Sequence, residues 1–156
     1  HRPGLLDYLR MISEFTDVYA FTAAMPVYAR PLIKHLDPDQ SIFKNVWYRE
    51  SCTKIKIPEG EFYTKDLAKA MGEVFNDKRT ILVDNNILSF IPQPMNGIPV
   101  PCFYDNPNDF VLATVHSVLQ TLDNESDVKP LLHQAYRVRT RIDSIPEIRE
   151  LWQQSQ

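Results

Sequence analysis

Apolar positions in the first third of the chain fall into three blocks with different periods. Leu5, Leu6, Leu9, Ile12 and Phe15 recur at spacings of three and four, which predicts an amphipathic helix over residues 5–15 with Pro3 where a helix can begin. Val18-Tyr19-Ala20-Phe21 is a short apolar block between Asp17 and Thr22, the length and composition of a buried parallel strand. Pro26 then opens a second helix with Tyr28, Leu32, Ile33 and Leu36 on one side, and Asp37-Pro38 ends it.

The alternation of elements continues. Asn45 to Glu50 predicts a strand, and Ile55 to Tyr63 a further strand or hairpin interrupted by Pro58-Glu59-Gly60. Lys65 to Phe75 is helical in pattern. Thr80-Ile81-Leu82-Val83 is the strongest strand signal, β-branched and apolar, and it runs into Asp84-Asn85-Asn86. Pro92 to Pro101 is a proline-rich connector with a short strand at Ile98 to Val100. Helical periodicity returns from Asn108 to Leu122, and again from Val128 to Trp152 with Pro146 as a fresh start. This order predicts an α/β domain with a parallel sheet, whose functional crevice lies outside the carboxyl ends of its strands. Thr22, Asp84, Asn85 and the residues after Val100 are therefore the ones to inspect.

Composition narrows the classes. A chain of 156 residues that is 44% hydrophobic can bury a real core in one compact domain, which excludes disorder and a fibrous repeat. Seventeen Lys and Arg against 20 Asp and Glu give a net charge of −3, which argues against nucleic acid as a partner. The apolar runs are far short of the about 20 residues of a membrane span, and no signal peptide opens the chain. Cys52 and Cys102 lack the paired spacing of a zinc or redox motif and read as thiols in a reducing, intracellular compartment. Twelve prolines against four glycines predict stiff loops.

Three polar positions carry candidate chemistry, each with an ordinary alternative. Thr22 follows a strand, where its hydroxyl and the next backbone N–H groups suit an oxyanion; Thr is also a common helix cap. Asp84-Asn85 places a carboxylate and a carboxamide oxygen together at a strand end, a fragment of an oxygen-rich magnesium site or a polar turn. Lys65 lies between Phe62-Tyr63 and a helix start at Asp66, and a lone lysine is usually a solvated charge.

The ordered set is more specific than any member. Arg2-Pro3-Gly4, Phe21-Thr22-Ala23, Trp47-Tyr48-Arg49-Glu50-Ser51-Cys52, Tyr63-Thr64-Lys65-Asp66-Leu67 and Leu82-Val83-Asp84-Asn85 resemble the small C-terminal-domain phosphatases of the haloacid dehalogenase superfamily. The mitochondrial presequence-translocase receptor shares this domain. The likeness runs from Arg2 to about Leu122, so the expected organisation is a phosphatase-like α/β domain over 1–122 and a helical extension over 123–156 packed on it. The resemblance implies a Rossmann-like fold and phosphoryl transfer through an aspartyl-phosphate, with Mg²⁺ as cofactor. By motif position, Thr22 would hydrogen-bond the phosphoryl oxygens, and Lys65 would neutralise phosphate and nucleophile. Asp84 and Asn85 would form the metal side, while Tyr28 and Arg49 would line a groove for a phosphoprotein or extended peptide.

The family's nucleophile and general acid are two aspartates in an Asp-x-Asp-x-Thr/Val motif, on a central strand that precedes the Arg-Pro-Gly segment. Within this chain only Asp37-Pro38-Asp39-Gln40-Ser41 has that spacing, and it follows a helical pattern and contains a proline, which reads as a helix-terminating turn. The expected sheet therefore lacks the strand between Val18–Phe21 and Thr80–Val83. Unpaired inner edges are costly, so that strand would come from an upstream segment, a separate polypeptide or a dimer partner by exchange, with a rearranged sheet as the remaining alternative. Three functions stay open: a Mg²⁺-dependent phosphoprotein phosphatase inactive as this chain alone, a non-catalytic peptide-binding module as in mitochondrial import, and a structural domain whose polar strand ends are turns. The compartment is nucleus or cytoplasm, with the mitochondrion as the alternative.

Overall fold

A computed structural model of the chain describes residues 1–58 and 60–154. The fold is mixed α/β and divides into two compact units. The first comprises His1–Glu50 and Pro101–Glu125, the second Ser51–Val100 with the segment from Ser126 on.

In the first unit, helix α1 (Leu5–Ser13) packs against α4 (Val111–Asp123); of its predicted stripe Leu9 and Ile12 are buried and Leu5, Leu6 and Phe15 half-buried, while Tyr8, outside that stripe, is buried as well. Phe15 meets His116 edge-on at 6.0 Å. Strand β1 (Val18–Phe21) pairs in parallel with β2 (Phe43–Trp47), in the register Tyr19↔Asn45 to Phe21↔Trp47 with an irregularity after Val18. The Tyr19 and Trp47 rings stack at 5.3 Å. Between the strands, α2 (Pro26–Leu36) starts on Pro26, whose fixed φ suits the first helical turn. It buries Ala29 and Leu36 and leaves Val27, Tyr28 and Leu32 exposed. Arg2 is bonded to the Asp109 carboxylate and the Pro101 carbonyl, with its guanidinium 5.4 Å from the Phe103 ring centre, so the start of the chain is tied to the segment before α4.

In the second unit, β3 (Thr53–Ile57) and β4 (Gly60–Thr64) form an antiparallel hairpin; the Glu59 of its predicted turn lies outside the described residues. The Lys54 ammonium approaches Glu61 at 2.8 Å and the cross-strand Tyr63 ring at 5.7 Å. The Glu61 hydrogen bond is the chief reason its pKa rises. Helix α3 (Leu67–Met71) follows, then β5 (Leu82–Asp84), which pairs in parallel with β6 (Gly97–Pro99). Helices α5 (Lys129–Tyr136), α6 (Val138–Asp143) and α7 (Pro146–Gln154) complete the unit, burying Leu132, Val138, Ile142 and Ile148, with α5 against β6. The start of α5 is pinned by the Val128 N–H on the Lys78 carbonyl and by a Lys129–Asp77 ion pair.

Several predicted bounds shift. The strand expected over 45–50 lies at Phe43–Trp47, because Arg49–Ser51 turns as a 3₁₀ segment. The helix expected over 65–75 closes at Met71, where Gly72 adopts φ +56 and ψ −126, a conformation that an L side chain disfavours. Parallel pairing is present in β1–β2 and β5–β6, and among the described residues each sheet has two strands. No helix among the described residues is long and apolar enough to cross a membrane.

Candidate functional site

The second unit brings two of the predicted residues into direct contact. Lys65 leaves β4 at its C-terminal end and Asp84 is the last residue of β5. Lys65 Nζ lies 2.5 Å from Asp84 Oδ2, with 12% and 6% of the two side chains exposed. An ion pair so far from water is strong in Coulomb terms and costly to desolvate, and it needs further hydrogen bonds to persist. Asp84 has one: its Oδ1 accepts from the Asn86 backbone N–H at 2.7 Å. Asn85 sits between these anchored residues, at the carboxyl end of β5. The Asp84 carbonyl accepts from Val100 N–H at 2.9 Å, extending the β5–β6 pairing past the site.

Lys65 is held from the main chain as well. Its N–H donates to the Ser89 carbonyl at 3.1 Å, within the 3₁₀ segment Ile87–Phe90 that follows Asn86. Asp66 caps α3 through its carboxylate, which accepts from Lys69 N–H at 3.1 Å. Gln93 spans both segments, its Oε1 accepting from Leu67 N–H and its Nε2 donating to Asp66, each at 2.9 Å. Sequence reasoning missed Gln93, which lies within the proline-rich connector between Pro92 and Pro94. Its one signal is an amide, able to donate and accept at once, placed in a rigid connector.

The other predicted residues belong to the first unit. Thr22 follows β1, its N–H on the Trp47 carbonyl at 2.9 Å. Its hydroxyl accepts from Ala24 N–H at 3.0 Å, a local turn that takes up one donor of the imagined oxyanion cradle. Thr22 does not cap α2, since the residue before the helix is Met25, whose side chain makes no capping hydrogen bond. Arg49 donates through Nε to the Ala23 carbonyl at 2.6 Å, beside Thr22. Tyr28 is 76% exposed on α2.

Asp37 and Asp39 do not form a catalytic pair. The buried Asp37 carboxylate accepts from the N–H groups of Ser41, Ile42 and Phe43 at 2.8–3.2 Å, and Asp39 accepts from the Ser41 hydroxyl. A carboxylate wrapped in its own loop is an anchor, not a nucleophile.

The oxygen donors at Asp84 and Asn85 are of the hard type that magnesium prefers. They do not make a cage by themselves. Both Asp84 oxygens already accept hydrogen bonds, and among the described residues no group of three or more His, Cys, Asp or Glu converges.

Lys65 and Asp84 thus pair where β4 and β5 end, with the Asn85 amide next in the chain. Residues 1–129 match the profile of the NLI interacting factor-like phosphatases, and the chain belongs to that family. It is 32% identical over 137 residues to a CTD small phosphatase-like protein 2 of Dictyostelium discoideum, a match covering 88% of this chain and 23% of that one. It is 29% identical over 131 residues to the CTD nuclear envelope phosphatase 1 homolog of Drosophila melanogaster, covering 84% and 51%. A human CTD small phosphatase-like protein is 31% identical over 133 residues, covering 85% and 45%. The chain thus spans about half the length, or less, of these relatives.

Proposed function

We propose that this chain is the greater part of a phosphoprotein phosphatase domain of haloacid dehalogenase type. The single observation that carries the reading is the enclosed Lys65–Asp84 pair at the carboxyl end of β5, in a chain of a phosphatase family. In this reading the Lys65 ammonium neutralises charge on the phosphoryl group and on the attacking carboxylate, while the Thr22 hydroxyl hydrogen-bonds a phosphoryl oxygen. Tyr28 and Arg49 hold the peptide that carries the phosphate. Asp84 and Asn85 would face Mg²⁺ once a further anionic oxygen completes the site, and the metal would supply charge neutralisation.

The nucleophilic aspartate and the general acid are proposed to stand on a strand outside these 156 residues. Support comes from two sides. Asp37 is committed to its loop, and β1 and β5 each have one strand partner among the described residues, leaving a second edge for pairing. The strand can come from an upstream segment or from a second copy of the chain in a dimer. The names of the nuclear-envelope relatives favour an intracellular setting, in nucleus or cytoplasm.

The test is Mg²⁺-dependent turnover of p-nitrophenyl phosphate by residues 1–156, alone and preceded by a strand bearing the Asp-x-Asp-x-Thr motif. No turnover is expected from the chain alone, and turnover from the extended protein. In the latter Lys65→Ala should lower kcat by roughly a hundredfold or more, the scale of a lost oxyanion contact. An extended, folded protein without activity would sink the phosphatase reading. A second reading, a peptide-binding module without chemistry, draws on the exposed Val27, Tyr28 and Leu32 of α2. It predicts peptide affinity that Tyr28→Ala removes and Lys65→Ala leaves intact.

A further inference from the structure

We propose that Gln93 is a positioning residue for Lys65, an amide clamp that fixes the main chain from which the ammonium reaches Asp84. The inference rests on the phosphatase reading only for its functional consequence. A lysine side chain has four rotatable torsions and a large rotamer entropy, so a defined ammonium position demands a defined backbone. The backbone at Lys65 lies at a junction between two elements. It is the step between β4 and α3, a helix of five residues that could not persist on propensity alone.

Three hydrogen bonds tie this junction to the segment after β5. Lys65 N–H meets Ser89 at 3.1 Å, and Gln93 makes the other two, accepting from Leu67 N–H and donating to Asp66 at 2.9 Å each. The Gln93 bonds are reciprocal. One satisfies a first-turn donor of α3 that has no intrahelical acceptor, and the other orients the carboxylate that caps the same helix. Gln93 itself stands between Pro92 and Pro94, whose fixed φ angles hold its backbone. The same segment carries Asp84 at its origin, so the clamp holds both ends of the ion pair against each other: β5 delivers Asp84, and at Gln93 the chain returns to secure the Lys65 junction. Neither Gln93 bond is needed for the β5–β6 pairing, which runs through Leu82–Asp84 and Gly97–Pro99.

The experiment is NMR on the 156-residue chain, reading the Lys65 ammonium ¹H–¹⁵N signal and amide hydrogen exchange. In the parent the ammonium signal is expected to be visible, as for a lysine in an enclosed ion pair. Gln93→Leu, of similar size and unable to hydrogen-bond, should broaden or shift that signal and accelerate exchange at Leu67 and Lys69 by roughly three- to tenfold, the scale of one net hydrogen bond. Exchange in β1 and β2 should stay unchanged. Should Gln93→Leu not fold, Gln93→Glu serves, because it keeps the acceptor toward Leu67 and loses the donor toward Asp66; exchange at Lys69 should then accelerate more than at Leu67. A Lys65 signal identical to the parent, with unchanged Leu67 exchange in folded Gln93→Leu or unchanged Lys69 exchange in folded Gln93→Glu, would overturn the inference. Failure of the phosphatase reading looks different: an extended protein without turnover, with the ammonium signal still responding to Gln93→Leu.

Discussion

Phe90 and Gly97 lie so close that a Cβ on Gly97 would fall 2.5 Å from Phe90 Cδ1. Phe90 is 1% exposed and closes the 3₁₀ segment after Asn86, while Gly97 is the first residue of β6 and pairs with Leu82. Neither can move alone. Gly97→Ala should therefore cost roughly 1–3 kcal/mol through overpacking. Urea denaturation checks this, and the loss should shrink when Phe90→Leu is combined with it, because the smaller side chain vacates the space.

The Lys65–Asp84 pair gives a second prediction, about stability rather than turnover. Removing one member of a buried pair strands the other charge, so Lys65→Met or Asp84→Asn alone should cost on the order of 3 kcal/mol, and the double variant less than the sum. A double-mutant cycle in urea measures the coupling. Additive losses would mean that the two groups do not depend on each other. Any kinetic test of Lys65 must accordingly be run well below the variant's unfolding temperature.

How far these features were legible in the sequence depends on the range of the interaction behind them. Pro26 and Asp37 bracket α2 because a helix start and stop are local chemistry, and Val18–Phe21 is a strand because four apolar residues between polar ones have few alternatives. The end of α3 at Gly72 is hidden in the sequence because the helical pattern continues past that glycine to Phe75. Lys65 and Asp84 were each singled out from motifs, yet nothing local joins residues 19 positions apart in sequence. Pairing was set by which strands end side by side, and that is decided by packing. For the same reason nothing local in the sequence specifies the partners of Gln93 or the Arg2–Asp109 bond, 107 positions apart.

The Asp37 loop is a third case. Its carboxylate accepts from three successive backbone donors while Gln40 takes φ +57, so one side chain substitutes for regular structure between α2 and β2. Asp37→Ala should destabilise the first unit by roughly 3 kcal/mol, about 1 or more for each donor stripped of its acceptor. Asp37→Asn keeps one acceptor oxygen and should lose less. Exchange at the Ile42 and Phe43 amides reports the effect directly, and unaltered protection in Asp37→Ala would show that the carboxylate is not what protects these amides.

Tyr8 makes the alkaline limit predictable. Burial on α1 pushes its phenol from the ordinary 10.0 up to about 12, because an ionised ring would be poorly solvated there. A raised folded-state pKa means that the stability associated with the neutral phenol is complete below pH 10, where folded and unfolded chains are both protonated. As pH climbs past 10 the unfolded chain ionises first, and stability falls until the folded phenol titrates near 12. The loss from this group is up to roughly 2–3 kcal/mol, at about 1.4 per unit of difference. Tyr8→Phe removes the titration while keeping the ring, so its stability should fall less steeply between pH 10 and 12 than that of the parent. Parallel curves for the two proteins in that window would place the Tyr8 hydroxyl in contact with water and contradict the burial argument.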